Sequence, residues 1–525
     1  MIIFARFPVV NPRMNSGGWE KKVSDILAAM VDGDNGADGK RRDLAVGLSA
    51  GLLAVIGAGI LLFAYLRPPA LTFSESLPGM DGRSPTAPGI EKTVRLGDLF
   101  EKGDGAPSLL PGTWPRFRGA DFSNIAPVSA PLAESWGTQG PPVLWTVNLG
   151  EGHAGAAVAN GRVYVMDYDE QRRADLLRCF SLDDGKEIWR RGYTVPVKRN
   201  HGMSRTVPAV SGKVVVSMGP RCHVMGVAAD TGDFLWGRDL EREMGTRTPD
   251  WYTGQCPLID GDVAVLAPCG TNVLMMGINC ADGKTVWTTP LPGKWLMSHT
   301  SIAPATIGGK RMYIYAAING LAGVSAEPED RGALLWQTEV WKPAVIVPSP
   351  VVLPDGRIFL TAGYGAGSLV LKVTREADRF TVREVKTFGP RDGLASEQQT
   401  PVFFQGCLFA VLPKDAGPNR NQFACADPEG NILWTSGKET RFGMGPLMVA
   451  GDRFLILDDQ AVLTMARATS DGFQPMARAR ILDGQDAWAP FALAGTRLLL
   501  RDSRRMACVE LGVSPSAARN MRALP

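Results

Sequence analysis

The strongest constraint on this chain is a unit of about 50 residues that recurs along most of its length. The unit at residues 154–189 contains four apolar runs of strand length, with the turn Asn160-Gly161 between the first two. Asn-Gly between alternating apolar runs is a strong hairpin signal. The acidic turn Asp183-Asp184-Gly185 precedes the last run, which ends on Trp189. The pattern predicts one four-stranded antiparallel sheet.

The unit recurs with nearly constant spacing. Successive units close at positions 189, 236, 287, 336, 385 and 434, which lie 47, 51, 49, 49 and 49 residues apart. Trp occupies all of these positions except 385, which is Val, and the unit that begins at Gly445 has no Trp. A sustained period of this length with four strands per unit predicts a β-propeller.

The last unit, Phe491–Leu511, has sequence for only three strands. Val143–Leu149 supplies the missing fourth strand from the N-terminal side, which closes the ring and removes exposed sheet edges. We therefore predict an all-β fold, an eight-bladed β-propeller of four-stranded antiparallel blades at 114–511 with closing strand 143–149, and a C-terminal tail at 512–525. Large flat side chains suit packing between blades, and we assign this role to Trp145, Trp189, Trp236, Trp287, Trp336 and Trp434.

The ends of the units carry a family resemblance. VAADTGDFLW at 227–236 and CFSLDDGKEIW at 179–189 resemble the pyrroloquinoline-quinone (PQQ) repeat. That repeat occurs in PQQ-dependent dehydrogenases and in BamB-type outer-membrane assembly lipoproteins. WPRFRGADFSN at 114–124 resembles the start of uncharacterised bacterial PQQ-like propeller proteins. The resemblance covers about residues 114–511, and it implies a fold more directly than an activity.

The resemblance also implies what a quinone enzyme would need. PQQ dehydrogenases typically carry a disulfide between adjacent cysteines over the quinone, a Glu–Asn–Asp set around calcium, and an Asp base. The sequence has no adjacent Cys pair, and that set cannot be matched to it residue by residue. The cofactor therefore stays unknown, with PQQ and calcium as an open alternative, and no catalytic residue is assigned.

The N-terminal region predicts a membrane anchor. Residues 44–66 are 23 residues without a charge, about 35 Å as a helix, enough to span a bilayer. Lys40, Arg41 and Arg42 precede this segment and only Arg67 follows it, so the positive-inside rule predicts a cytoplasmic N-terminus and a periplasmic or extracellular propeller. A cleaved signal peptide is disfavoured, because the apolar run is long and no A-x-A site follows it.

The segments on either side of the predicted transmembrane helix differ in character. Residues 1–43 predict a cytoplasmic tail whose apolar positions between 19 and 30 lie on one face of a short helix. Docking of this helix on a partner or the membrane surface, and a weakly ordered tail, are both open interpretations. Residues 67–113 contain seven prolines and predict an extended linker, of which Val94–Phe100 could dock on the ring.

A candidate ligand site comes from residues that precede the innermost strands. Three of the four histidines, His153, His201 and His299, occupy this slot in different units. Polar groups that converge on one mouth of a propeller channel predict a ligand pocket. The same slot in other units supplies Arg205, Tyr252, Gln255, Gln398, Gln399, Asp486 and Trp488.

Two other interpretations of this slot stay open. The polar groups could simply satisfy the backbone of the innermost strands. Imidazole also suits zinc or copper, but we assign no metal site to the sequence. Two loops, Trp251–Pro257 and Leu412–Phe423, are predicted to reach the channel or its rim.

The net charge and the cysteine positions argue against some classes of function. The formal net charge is +3, so no bulk electrostatic attraction favours nucleic acid. Cys179, Cys280, Cys425 and Cys508 occupy similar third-strand positions in four units, which predicts buried thiols rather than disulfides. No C-x-x-C-H motif for c-type haem is present.

Two functions follow from the sequence. The first is a membrane-tethered binding or scaffold module without catalysis, which presents its rim to protein, peptide or glycan partners. The alternative is a quinoprotein oxidoreductase with its site at the channel mouth. The absence of an adjacent Cys pair favours the first.

Overall fold

The computed structural model of the chain describes residues 94–128 and 130–513, together with residues 55, 57 and 58. The described strands form eight sheets, and in blades 1 to 7 four antiparallel strands follow in chain order from the innermost to the outermost. Blade 1 contains Ala156–Ala159, Arg162–Asp169, Ala174–Ser181 and Glu187–Thr194. Blade 2 contains Ala209–Ser211, Val214–Met218, His223–Ala228 and Phe234–Asp239. Blade 3 contains Leu258–Asp260, Val263–Leu266, Val273–Asn279 and Thr285–Pro290.

The next three blades follow the same plan. Blade 4 contains Ala303–Ile307, Lys310–Ala317, Gly320–Ser325 and Leu334–Thr338. Blade 5 contains Val351–Val352, Arg357–Ala362, Gly367–Glu376 and Arg379–Phe388. Blade 6 contains Val402–Phe404, Cys407–Val411, Phe423–Ala426 and Ile432–Thr435. Two short helices, Leu240–Met244 and the 3-10 turn Gly417–Asn419, lie in connections between strands.

The last two blades combine distant parts of the chain. Blade 7 contains Leu447–Ala450, Arg453–Leu457, Val462–Arg467 and Pro475–Arg480. Blade 8 contains Ala492–Ala494, Arg497–Arg501, Arg505–Glu510 and, from the N-terminal side, Val143–Asn148. Val143–Asn148 pairs antiparallel with Arg505–Glu510, with Trp145 opposite Cys508. The prediction of an eight-bladed propeller of four-stranded antiparallel blades is confirmed.

The closing tryptophans explain why the repeat carries a glycine turn. Trp145 lies on the turn glycine of blade 1, Gly185, and a Cβ at that glycine would approach the indole ring to 2.7 Å. Trp145 also donates from Nε1 to the carbonyl of Leu182 at 3.1 Å. The closing Trp of one blade therefore packs against the turn of the next. The same pairing joins Trp189 to Gly232, Trp236 to Gly283, and Trp287 to Gly332.

A fifth strand covers the outer edge of blade 1. Leu99–Lys102 pairs antiparallel with Glu187–Thr194, and the Arg191 guanidinium lies 4.0 Å from the centre of the Phe100 ring. These residues lie within the segment 67–113 that the sequence predicts as an extended linker, and Leu99 and Phe100 belong to its stretch Val94–Phe100, which was expected to dock on the ring. Backbone pairing at a free sheet edge outweighs the proline-rich composition of the flanking sequence.

The segment before the closing strand crosses the channel. Trp114 forms an isolated antiparallel bridge with Val158 in the innermost strand of blade 1. The carbonyl of Pro115 accepts a hydrogen bond from the amide of Val210 in blade 2 at 2.8 Å. At the other end, Ile125–Ala126 pairs in parallel with the innermost strand of blade 7. The Arg116 guanidinium also donates to the carbonyl of Ile259 in the innermost strand of blade 3. Blades 3 and 7 lie opposite each other in a ring of eight, so we call residues 114–126 the plug.

Arg118 fastens the plug to blade 6. Its Nη1 donates to the carbonyl of Thr400 at 3.0 Å, and its Nη2 donates to the carbonyl of Pro401 at 3.1 Å. Two more bonds go to carbonyls within the plug, those of Phe122 and Ser123. Burial lowers the pKa of Arg118 to about 9, with nearby Asp121 opposing the shift. Four carbonyl oxygens thus accept the hydrogen bonds that water would accept from an exposed guanidinium.

No helix among the residues that the structure describes is long and apolar enough to cross a membrane. The predicted transmembrane helix at 44–66 lies outside those residues except at 55, 57 and 58, and the predicted tail at 1–43 lies outside them entirely. All eight cysteines are free thiols; Cys407 is half-buried and the others are buried.

Asp175 is a fully buried carboxyl group at the boundary between blades 1 and 2. Tyr193 donates from its hydroxyl to Asp175 Oδ2 at 2.8 Å, and Oδ1 has no hydrogen-bond partner within the described part of the chain. Burial raises the pKa of Asp175 to about 7; the Tyr193 hydrogen bond opposes this shift and nearby Asp167 adds to it. The ring of His223 in blade 2 packs edge-on against Tyr193.

We expect Asp175→Asn to stabilise the protein more at pH 8 than at pH 5. An acid whose pKa is raised on folding retains an extra proton in the native state between about pH 4 and pH 7, so it reduces stability as the pH rises through that window. One pKa unit corresponds to about 1.4 kcal/mol, so the gain in the free energy of unfolding from Asp175→Asn should be larger at pH 8 than at pH 5 by on the order of 3 kcal/mol. Guanidinium unfolding of both proteins at each pH measures it, and an equal effect at both would contradict the prediction.

Candidate functional site

A cavity of about 410 Å³ lies at one mouth of the channel. Most of its lining comes from the crossovers, by which we mean the segments that lead from the outermost strand of one blade to the innermost strand of the next. Phe117 of the plug is also part of the lining, so the plug supplies one wall from inside the channel. Each of the eight crossovers contributes at least one residue: His153, Arg205, Trp251, His299, Val347, Gln398, Met444 and Trp488.

The structure brings seven of the ten residues predicted at the mouth into this cavity. They share the position just before an innermost strand, which places them on crossovers at the same end of the ring. Their backbone positions follow directly from the repeat. These residues are His153, His201, Arg205, His299, Gln398, Gln399 and Trp488.

The other three predicted residues do not line the cavity. Gln255 is fully buried, and its amide group bonds the backbone of Ala267 through both ends and also reaches the Tyr315 hydroxyl. Tyr252 donates from its hydroxyl to the carbonyl of Lys198. Asp486 is exposed. The slot predicts the loop on which a residue lies, but local hydrogen bonds decide where its side chain points.

Four important lining residues were missing from the predicted set. Trp251 and Lys414 lie on the two loops predicted to reach the channel, so that prediction identified the loops without these side chains. Glu397 directly precedes Gln398 in the sequence. Tyr364 lies in the turn between the second and third strands of blade 5. The glycines on either side of Tyr364 mark this turn in the sequence, and they are the signal by which the residue could have been found.

Aromatic rings form flat walls. The Trp251 and Tyr364 rings are nearly parallel, 12° apart, with centroids 6.1 Å apart. The His153 and Trp488 rings are stacked at 5.0 Å. Asp459 Oδ1 accepts a hydrogen bond from Trp488 Nε1 at 2.7 Å and holds that indole in place. Stacked rings of this kind suit a ligand with a planar or apolar body.

Several residues that line the cavity are in the left-handed region of backbone space. His201, Trp251 and Tyr364 have φ values of 51°, 61° and 58°. Non-glycine residues adopt this conformation at a cost of order 1–3 kcal/mol each, and such residues concentrate at binding and active sites. Here three of them carry rings that line the same cavity.

Arg205, a half-buried residue, brings a cation to the mouth. Its Nη2 donates to the carbonyls of Asn200, His201 and Gly202 at 2.8 to 3.1 Å, which fixes the crossover between blades 1 and 2. Its Nε is buried and has no hydrogen-bond partner within the described residues. Burial lowers the pKa of Arg205 to about 10, so the group stays charged at neutral pH.

Glu397 brings an anion that is nearly inaccessible, with 2% of its side chain exposed. Lys414 Nζ lies 2.9 Å from Oε1, while Oε2 has no partner among the described residues. Burial alone would lower the pKa of Lys414, but the contact with Glu397 outweighs it and the pKa is raised. Lys414 Nζ also lies 5.1 Å from the centre of the Tyr364 ring.

Two half-buried histidines of the cavity wall, His153 and His299, are neutral at physiological pH. Burial lowers the pKa of His153 to about 3, with Arg205 and Arg501 adding to the shift. Burial and then Arg205 lower the pKa of His299 to about 4. Within residues 94–128 and 130–513, no group of three or more His, Cys, Asp or Glu side chains has the geometry to hold a metal ion.

A larger groove of about 970 Å³ lies elsewhere on the propeller. Its walls come from Val128, from residues between 131 and 144, and from edges of blades 7 and 8, and they include Pro131, Trp136 and Leu144. It includes none of the histidines and none of the other residues predicted at the mouth. The mouth cavity is the stronger candidate, because side chains from all eight crossovers meet there.

Comparison with known sequences supports one family. The family model described as outer membrane protein assembly factor BamB matches residues 138–248 and, in an overlapping match, residues 172–399. A curated relative, outer membrane protein assembly factor BamB of Moranella endobia (strain PCIT), is 26% identical over 338 residues. This match covers 56% of the chain and 79% of that relative.

Comparison with solved structures supports the fold alone. A europium-containing methanol dehydrogenase matches with a TM-score of 0.53 at 10% identity, over 75% of this chain and 89% of that one. The quinohemoprotein alcohol dehydrogenase ADHIIG from Pseudomonas putida HK5 matches with a TM-score of 0.53 at 11% identity, over 79% and 83%. With its repeat, its eight closed blades and the matching family model, the chain belongs to the PQQ-like, BamB-type family of β-propeller repeat proteins.

Proposed function

We propose that this chain is a membrane-tethered, extracytoplasmic binding module without catalysis, and that the channel mouth is its ligand site. One observation carries the proposal: all eight crossovers contribute to a single cavity that combines aromatic walls with buried charges. Concave sites of this size with a few convergent polar groups are typical of ligand pockets. The name of the Moranella relative, an assembly factor, also suits a protein that binds partners rather than one that transforms a substrate.

The residues at the mouth do not fit the calcium–quinone set that the family resemblance implies. Calcium prefers six to eight hard oxygen ligands, mostly carboxylates and carbonyls. Glu397 is the carboxylate that lines the cavity, and it is already paired with Lys414. The cavity contains one cysteine, Cys256, and no two cysteines are adjacent in the sequence. We therefore derive no redox step through a quinone.

The cellular location of the propeller is part of the proposal, and its support comes from the sequence. The uncharged segment at 44–66 would anchor the chain, with the N-terminus in the cytoplasm and the propeller in the periplasm or outside the cell. Protein, peptide or glycan partners would then meet the rim, and the positive-inside pattern is what supports this orientation.

A quinoprotein-like oxidoreductase is the second candidate. The flat walls formed by Trp251 and Trp488 favour it, because a planar cofactor stacks well on such rings. The fold likeness to two dehydrogenases is compatible with it but carries no activity.

We expect PQQ to show no calcium-dependent binding to this protein. Isothermal titration of the full chain with PQQ, with and without calcium, measures binding, and dye reduction with primary alcohols measures activity. A PQQ-dependent alcohol dehydrogenase serves as the positive control in both assays. Calcium-dependent binding together with dye reduction would overturn the non-catalytic assignment and favour the oxidoreductase.

A further inference from the structure

Two groups of opposite charge line the mouth cavity, and each has a buried atom without a hydrogen-bond partner among the described residues. Glu397 Oε2 is one, on a side chain that is 2% exposed. Arg205 Nε is the other. Burying a polar atom without a hydrogen bond is costly, and buried charges in proteins are normally paired. Both atoms therefore have the character of ligand contacts.

Lys414 shows what Glu397 can bind. The ammonium group of Lys414 pairs with Glu397 Oε1 at 2.9 Å and lies over the Tyr364 ring. Its side chain is nevertheless 59% exposed and comes from a loop outside the crossovers. Asp415 ties this loop to blade 5 through a 2.7 Å bond from the amide of Gly365. A carboxylate next to an aromatic face is a favourable environment for any ammonium group.

Arg205 offers the complementary contact. The hydrogen bonds it makes go to backbone carbonyls, through Nη2. A guanidinium with a free edge binds a carboxylate more strongly than it binds a neutral oxygen. The neighbouring His153 and His299 are neutral, so they add no charge that would compete for the same anion.

We propose that the mouth binds a small zwitterion, such as a dipeptide, with an ammonium group at one end, a carboxylate at the other and an aromatic body between them. The ligand ammonium takes the place of Lys414 at Glu397, and the ligand carboxylate binds Arg205. The aromatic body lies against the walls made by Trp251 and Trp488. This inference rests on the proposed binding function and names its ligand class.

The first test changes the ligand and leaves the protein intact. Phenylalanyl-alanine is titrated calorimetrically into the full chain, beside its N-acetylated form and its C-terminal amide. We expect the free dipeptide to bind and each capped form to bind at least about tenfold more weakly, because the acetyl group removes the ammonium that would bind Glu397 and the amide removes the carboxylate that would bind Arg205.

The second test changes the protein. Glu397→Gln should weaken binding of the free dipeptide about tenfold, and the free and N-acetylated forms should then bind with the same affinity. Lys414→Met should strengthen binding of the free dipeptide several-fold, since the substitution removes the amine that competes for Glu397. Glu329→Gln, at an exposed position in the turn between the last two strands of blade 4, is the matched control and should leave affinity unchanged.

Two results would overturn the inference: no binding of phenylalanyl-alanine up to about 10 mM, or equal affinities for the free and capped forms. Neither result alters the binding function itself, which fails only if calcium-dependent PQQ binding with dye reduction is found. The two failures are therefore distinguishable.

Discussion

Arg118→Met is expected to lower the free energy of unfolding by about 3 kcal/mol. The guanidinium supplies hydrogen bonds to four carbonyls, and those of Thr400 and Pro401 are buried directly before the innermost strand of blade 6. An unsatisfied buried carbonyl costs about 1–3 kcal/mol. Removal of the buried guanidinium offsets part of that cost, because burial of this cation is itself unfavourable, as the lowered pKa of Arg118 indicates. Guanidinium unfolding of the full chain measures the change.

Arg172→Met is the matched control for this prediction. Arg172 is an exposed arginine that forms ion pairs with Glu101 and Asp169 at the outer edge of blade 1. Surface ion pairs contribute little to stability, so we expect no measurable shift in the unfolding midpoint. If the two variants unfolded at the same midpoint, the plug would not contribute to the stability of the ring.

Trp145→Ala is expected to cost about 3–5 kcal/mol, in the range measured for large buried aromatic residues. The indole is 7% exposed and packs on Gly185, and its Nε1 bonds the carbonyl of Leu182. Both partners belong to blade 1, whereas Trp145 belongs to the closing strand of blade 8. Removing the ring therefore weakens the one blade boundary that depends on a chain segment from the N-terminal side.

Leu144→Ala, the neighbouring residue in the same strand, is the control for this prediction. Its side chain is 40% exposed, so the change should stay within about 0.5 kcal/mol. Equal effects from Trp145→Ala and Leu144→Ala would mean that interblade packing does not hold the closing strand. Unfolding monitored by tryptophan fluorescence and by circular dichroism reports both variants.

The ring could be predicted because its determinants are local. A hairpin turn such as Asn160-Gly161 and a closing residue such as Trp189 recur at nearly fixed spacing, so each blade is encoded within about 50 consecutive residues. Closure followed from counting strands, since the last unit lacked one and Val143–Asn148 provided it. The fifth strand at Leu99–Lys102 could not be counted in this way, because it lies outside the period.

The site could be predicted only in part. The position before each innermost strand identified His153, His201 and His299, since topology places those crossovers at one end of the ring. Gln255 shares that position but points into the blade, where Ala267 and Tyr315 complete its hydrogen bonds. Glu397 was missed although it lies beside Gln398, because spacing carries no information about which of two neighbours faces the channel.

By itself, the sequence determined the class of fold, the number of blades and the end of the channel at which polar side chains gather. These properties depend on period and on chain order. Only the tertiary structure decided that Arg205 and Glu397 share one cavity, that Lys414 pairs with Glu397, and that the plug contributes Phe117 to that cavity. Side-chain direction depends on contacts that the repeat does not encode, such as Lys414 at Glu397 and Tyr315 at Gln255, so the repeat pattern by itself does not specify it.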